Sequence, residues 1–374
     1  MRILDRYVLS KFFLPFIYCF VGFIAIWFIF DLSDNLPDFL QGRASLDFLL
    51  AYYRSQIPEI VVICLPIGTL LALLYSLTAM SRSNEIISML GAGVSVSRIL
   101  LPLFFVGLIL TGVSAVFNYE AAPHAAMLKK QMIRDVKAKK KREPGLSAHL
   151  YRNREDNRTW FMRRIVPGNQ QASDVQIVQQ DAAGNITAQY YAKDAYFNVE
   201  DNFWVLYNGM YVEMNENQET QKEMFEGKRI EGWRETPWRI ASSVMNPDYL
   251  SVPELKDYLQ FNHDFPVHRL APYRTQLAYR WALPWVCVLV VFLAAPMGIV
   301  YSRRGILGGV AVAIGLFFSL VLISSFFIAL GKGNRISPLV AAWGPLIAFF
   351  GIGFFLLWLR STNRDLPKLK IPGF

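Results

Sequence analysis

Four histidines and three cysteines are the residues from which a metal or nucleophilic site would have to be built. His263 and His268 stand five apart in a stretch broken by Pro266, a spacing that does not set two ligands on one helix face. His124 and His149 are isolated and read as solvated or interfacial. Cys19, Cys64 and Cys287 all fall in apolar runs and read as small packing residues. The polar part of the chain has no cysteine, so neither a disulfide nor a thiolate metal site is expected there. Gly331-Lys332-Gly333 lacks the upstream glycine and the Ser/Thr of a phosphate-binding loop. No catalytic residue, metal or cofactor is expected of this chain itself.

Two groups of charge suit non-covalent work instead. The first is Ser81-Arg-Ser-Asn-Glu-Ile-Ile-Ser-Met-Leu-Gly-Ala-Gly93. Ser83 or Asn84 can cap a short helix over about 83–91, Glu85 sits in its first turn where the helix dipole favours a carboxylate, and Gly91 ends it. Ile86, Ile87, Met89 and Leu90 give it apolar faces. Two readings stand on the residues alone: a docking helix with Arg82 to Glu85, Ile86, Met89 and Gly91 as its contact set, or a helix lying on lipid. The second group is basic: Arg43, Arg54, Lys332 and Arg335, and the run from Lys129 to Arg142 that includes Lys139, Lys140 and Lys141. These suit an anionic head group, and equally ordinary anionic lipid or a solvated helix face.

The elements that position these groups are membrane spans. Windows 12–30, 60–81, 99–119, 281–302, 305–331 and 336–359 contain no Asp, Glu, Lys or Arg. A helix rises ~1.5 Å per residue, so ~20 residues cross a ~30 Å hydrocarbon layer. Hydrophobic residues make up 53 % of the chain, which excludes a fully soluble protein. The first window is too long for a signal peptide and reads as a retained span. Span 1 is expected to end at the acidic stretch Asp31 to Asp38, and Glu59 and Glu120 to border spans. Charge-free spans disfavour a proton path, so energy for any uphill transport would enter from a partner.

Orientation follows from the basic residues of the short loops. Arg2, Arg6, Lys11, Arg82, Arg98, Arg303, Arg304, Arg360, Arg364, Lys368 and Lys370 fall on one side, against Arg43, Arg54, Lys332 and Arg335 on the other. This bias puts both termini in the cytoplasm and the large insert outside it.

The fold class is thus membrane α plus β: three spans, an inserted periplasmic antiparallel β domain of sandwich, barrel or jellyroll type, and three spans. Residues 1–119 hold spans 1 to 3. Residues 120–250 hold a helical lead-in (120–142) and the β domain, with strands expected at 159–166, 175–180, 186–199, 203–207 and 210–214. Residues 251–278 form a linker helix, which Ser251 and Glu254 start as a capping box, and the return to the membrane. Residues 279–374 hold spans 4 to 6 and a basic cytoplasmic tail.

Several segments in this order resemble the LptF/LptG (YjgP/YjgQ) permeases, membrane subunits of the lipopolysaccharide exporter of Gram-negative bacteria. They are Leu4-Asp-Arg-Tyr7, Arg82 to Gly93, Glu120 with Ala122-Pro123, Trp204, Leu206 and Gly209, Leu250 to Leu255, Arg280, Pro284, Pro296, Leu330-Gly331 and Pro338. The resemblance implies an ABC-type transporter of the inner membrane: two such permeases on an LptB-like ATPase dimer that binds the ATP, with lipopolysaccharide passed to an LptC-like bridge of jellyroll folds and no nucleic-acid partner. It makes the Glu85 segment the coupling helix and spans 1 and 5 the lining of the lipid cavity. Family members often carry lysines near the outer end of span 1, where this chain has Asp31, Asp34 and Asp38. The alternatives are a membrane-anchored periplasmic scaffold, which needs no ATPase, and a transporter of another lipid.

Overall fold

A computed structural model describes residues 3–137, 146–153, 155–166, 169–214, 220–242, 245–263, 265–299 and 306–362. The chain divides into two units, one of Met1–Lys140, Pro247–Lys256 and Val267–Phe374, the other of Lys141–Asn246 and Asp257–Pro266.

The first unit is a helical bundle. Its elements are α1 (Ile3–Gln41), α2 (Leu46–Arg82), α3 (Glu85–Gly91), α4 (Val96–Val116), α5 (Ala122–Lys137), α8 (Val267–Ala282), α9 (Val286–Gly298), α10 (Ile306–Lys332) and α11 (Pro338–Ser361). A π-helical turn, Phe117–Ala121, joins α4 to α5, and one 3₁₀ turn, Leu283–Trp285, joins α8 to α9. Among the described residues, six continuous helices are therefore long and apolar enough to cross a membrane. They enclose a core that includes Phe12, Leu73, Leu77, Ile86, Ile99 and Val290.

Two expectations are corrected here. Helix α1 does not stop at Asp31 but runs through Pro37 to Gln41, and Glu59 lies inside α2 rather than at its edge. A hydropathy window measures the hydrocarbon thickness; a 39-residue helix is ~58 Å long and carries polar turns beyond it. Asp31 is buried there because Lys129 and Tyr52 partner it, as described below. After α4 the π turn absorbs an extra residue, and the expected helical lead-in continues the same helix to Lys137.

The second unit is one antiparallel sheet: β1 (Leu146–Asn153), β2 (Arg158–Val166), β3 (Gln171–Gln180), β4 (Ile186–Asn198), β5 (Phe203–Met214) and β6 (Thr220–Ile230), each beside its sequence neighbours. Residues 203–214 form one strand, not two. Asn208 takes a positive φ of 50°, yet Tyr207 and Gly209 keep the same register against β4 and β6. The expectation missed β1 and β6, the edge strands. Edges favour charge, and Lys222, Glu223, Glu226, Lys228 and Arg229 hide the alternation that marks inner strands. One face packs Trp160, Ile177, Ala195, Trp204 and Leu206 with Ile240 of α6 (Pro237–Ser242). Trp160 and Trp204 lie 5.1 Å apart between ring centroids. His149 is not solvated: it is buried and its Nε2 meets the Ile240 carbonyl at 2.8 Å.

The helix α7 (Val252–Phe261) starts as its sequence requires. Ser251 donates from its backbone N (2.8 Å) and Oγ (2.7 Å) to the Glu254 carboxylate, and the Glu254 N–H returns a bond to Ser251 Oγ. Burial alone would raise the Glu254 pKa, but these donors and His124 at 3.3 Å outweigh it and hold it below the usual range.

Candidate functional site

Three places in the molecule combine exposure with purposeful chemistry. At one end of the bundle, α3 is a seven-residue helix. Neither Ser83 nor Asn84 caps it: Asn84 enters in the left-handed region at φ 60°, and Ser83 Oγ donates back to the Ala79 carbonyl at 3.0 Å. The closing glycine is Gly93, not Gly91. Gly93 has φ 84°, its N–H reaches the Leu90 carbonyl, and the Val94 N–H reaches that of Met89, the paired bonds of a Schellman cap.

The faces of α3 are divided. Ile86 is buried in the bundle core, with Met89 and Leu90 half-buried against it. Arg82, Ser83, Asn84, Ile87, Ser88 and Gly91 are exposed. Of the expected contact residues, Ile86 therefore anchors the helix, while Ile87, outside that set, is the apolar side chain that faces out. Glu85 is partly exposed, 3.9 Å from Lys11 Nζ on α1.

The far end of the bundle holds a polar cluster. Asp31 Oδ1 meets Lys129 Nζ at 2.6 Å and Asp31 Oδ2 accepts from Tyr52 Oη at 3.1 Å. The Lys129 ammonium also lies 4.9 Å from the Trp27 ring centre. Nearby, Arg280 Nη1 donates to Asn118 Oδ1 at 3.0 Å, and Asn118 Nδ2 donates to the Arg280 carbonyl at 2.6 Å. Arg280 also donates to the Asp248 carbonyl, and Lys332 pairs with the Asp248 carboxylate. Glu59, Asn118, Asp248, Gln276, Arg280 and Lys332 give polar groups to a cleft of about 430 Å³ that Val62, Ile63, Ala122 and Ile328 also line.

The expected head-group residues divide accordingly. Lys332 belongs to this cleft; Arg43, Arg54 and Arg335 are exposed on the turns and helices of the same end. Lys139, Lys140 and Lys141 lie outside the described residues. Lys129, the first residue of the expected basic run, is in the cluster paired with Asp31, while Asn118 and Glu59 enter unforeseen. Asn118 and Arg280 sit at the borders of two apolar windows, a position that marks polar residues able to meet at one depth.

The third place is the open face of the sheet. Leu150, Phe161, Gln176, Tyr191, Met210 and Met224 stand opposite one another across all six strands. Part of this row lines a shallow groove of about 730 Å³. Leu150, Phe161 and Met224 are exposed, giving the sheet an apolar strip turned away from its core.

The bundle also differs in how its helices are covered. Only 6 % of the apolar window of α1 and 17 % of that of α10 is buried, against 72 % for α2. Phe13, Ile17, Tyr18 and Ile29 of α1 and Leu322 and Phe326 of α10 are exposed.

Six spans, three before and three after an inserted antiparallel β domain, with a short helix between the second and third, define a multi-pass membrane protein. Residues 6–359 match the family model described as "Lipopolysaccharide export system permease LptF/LptG", and the chain belongs to that family. No curated protein matches the chain at the significance required.

Proposed function

We propose that this chain is one of two permease subunits in an ATP-driven exporter that draws lipopolysaccharide out of the inner membrane. In this reading α3 docks into a cytoplasmic ATPase dimer, which binds and hydrolyses the ATP. The termini are cytoplasmic and the β domain is periplasmic, where it passes the lipid to a bridge protein of related fold. Helices α1 and α10 line the lipid route together with a second permease. The bare apolar windows of these two helices carry the reading: they are the long apolar surfaces that the chain does not cover itself. An acyl-rich lipid needs such a surface next to cationic groups, and Arg43, Arg54, Arg335 and the Lys332 cleft stand at one end of it. The divided faces of α3 further support docking, since its inner side is fixed by Ile86 while Arg82, Ser83, Asn84 and Ile87 are exposed and Glu85 is partly so.

The test is an assembled complex in proteoliposomes carrying Glu85→Arg. ATP-dependent lipid release is expected to fall by at least about tenfold, the equivalent of ~1.4 kcal/mol of coupling. Full release by this variant would remove α3 from its docking role.

A further inference from the structure

The fully buried side chains of helix α1 lie toward its two ends, while its middle is only half-covered, with Phe16 against the core and Phe28 against Tyr53 of α2. The buried ones are Val8, Phe12, Asp31 and Phe39; residues 13–30 contribute none. At the α3 end the attachment is both apolar and ionic. Val8 and Phe12 join the core cluster that also contains Ile86 of α3 and Val96 and Ile99 of α4. Arg98 of α4 meets Asp5 of α1 at 3.0 Å, and Arg98 and Asp5 are only 29 % and 14 % exposed. Lys11 faces Glu85 across 3.9 Å. Each ion pair thus joins α1 to the short segment from Glu85 to Arg98.

We infer that Asp5 and Arg98, helped by Lys11 and Glu85, strap the base of α1 to the α3 segment, so that displacement of α3 moves α1 directly. These four are positioning residues; they act through α1 and touch neither nucleotide nor lipid. A helix that is packed along its whole length spreads a push over many neighbours. The middle of α1 has no fully buried side chain and rests on α2 through half-buried ones such as Phe16 and Phe20, so a push at its base tilts it about the contacts near Asp31 and shifts the apolar stretch between. Screening weakens exposed pairs but much less a pair as covered as Asp5 and Arg98, which makes this pair the stronger of the two straps.

The inference rests on the proposed function, and its test separates the two. The full complex with the ATPase is purified and reconstituted with Asp5→Arg, Arg98→Asp and the double reversal Asp5→Arg/Arg98→Asp. Three quantities are read: ATPase subunit retained on purification, ATP hydrolysed, and lipid released per ATP. Each single reversal is expected to keep the ATPase bound and hydrolysing while release per ATP falls roughly tenfold. The double reversal, which restores opposite charges at the same two positions, is expected to recover most of it. Unchanged release in the singles, or no recovery in the double, overturns the strap. Loss of the bound ATPase in the singles also overturns it, because the pair would then belong to docking. Should the unmodified complex hydrolyse ATP without releasing lipid, the proposed function itself fails, and that result is visible before any variant is compared.

Discussion

The Asp31–Lys129 pair gives a prediction whose size can be worked out. Asp31 is 4 % exposed at its side chain and Lys129 27 %, so the carboxylate depends on its partners rather than on water. Unit charges ~4 Å apart attract by ~4 kcal/mol at an effective dielectric of ~20. Removing one member of a buried pair costs ~3–5 kcal/mol because the other is left desolvated. Tyr52 still donates to Asp31 when Lys129 is removed, so Lys129→Ala is expected at the lower end, ~3 kcal/mol. Asp31→Asn should cost less, ~1–2 kcal/mol: the amide oxygen keeps the Tyr52 bond, and the ammonium keeps the Trp27 face and partial solvent. The double variant Asp31→Asn/Lys129→Met removes both charges and should lie within ~1 kcal/mol of the unmodified protein. Cys64 and Cys287 are buried in α2 and α9, so their reaction with a fluorogenic thiol dye reports unfolding of the bundle in detergent. An unfolding temperature unchanged by Lys129→Ala, or a double variant as unstable as that single, would refute the assignment of a buried, mutually dependent pair.

Two further outcomes concern the sheet. A Cβ on Gly209 would lie 2.1 Å from the Tyr191 carbonyl oxygen and 2.6 Å from the Phe225 ring, and a backbone atom inside a ladder cannot move aside. Gly209→Ala should destabilise the β domain by ~3 kcal/mol and open it to proteolysis, whereas Gly227→Ala, whose Cβ meets only the Tyr207 ring at 3.7 Å, should not; equal protease resistance of the two variants would contradict this. Burial lowers the pKa of His149, and its bond to the Ile240 carbonyl only partly offsets that. The unfolded imidazole, near ~6.5, takes up a proton first, so the stability that neutral His149 contributes is complete above ~6.5 and is lost as pH falls below it, by up to ~1.4 kcal/mol per unit. His149→Gln, which can still donate to Ile240, should flatten this acid limb; an identical pH slope in both proteins would exclude His149 as its source.

What the sequence made legible and what it hid follow from the range of the forces involved. The six spans are legible as apolar runs, and the capping box at Ser251 and Glu254 and the short helix before Gly91, which depend on neighbours within a few residues, are legible to within a turn. The same local logic misjudged the ends of α1 and the start of α2, because hydropathy reports the lipid thickness and not where the backbone stops being helical. It also chose the wrong caps for α3. Asn84 and Gly93 have the φ values of 60° and 84° that the turns demand, and conformation of that kind follows from how α3 is seated on Ile86.

The site was legible only in part for a different reason. Exposed cations such as Arg43 and Arg335 stand out as charges beside apolar runs. Lys129, one of a dense basic series, does not, since its significance arises from Asp31 nearly one hundred residues earlier. Asn118 and Arg280 face each other across 162 positions. Such pairings are set when spans assemble, and composition treats each member as an ordinary border residue. The acidic stretch toward the C-terminal end of α1 illustrates the consequence. Read alone, Asp31 argues against an anionic ligand nearby; paired with Lys129, it is internally neutralised and instead fixes α1 to α5. The same argument applies at the opposite end, where Arg98 counted in sequence only as one of the residues that set orientation. Its contact with Asp5 links α1 to the first turn of α4, just after the short helix that the chain presents outward.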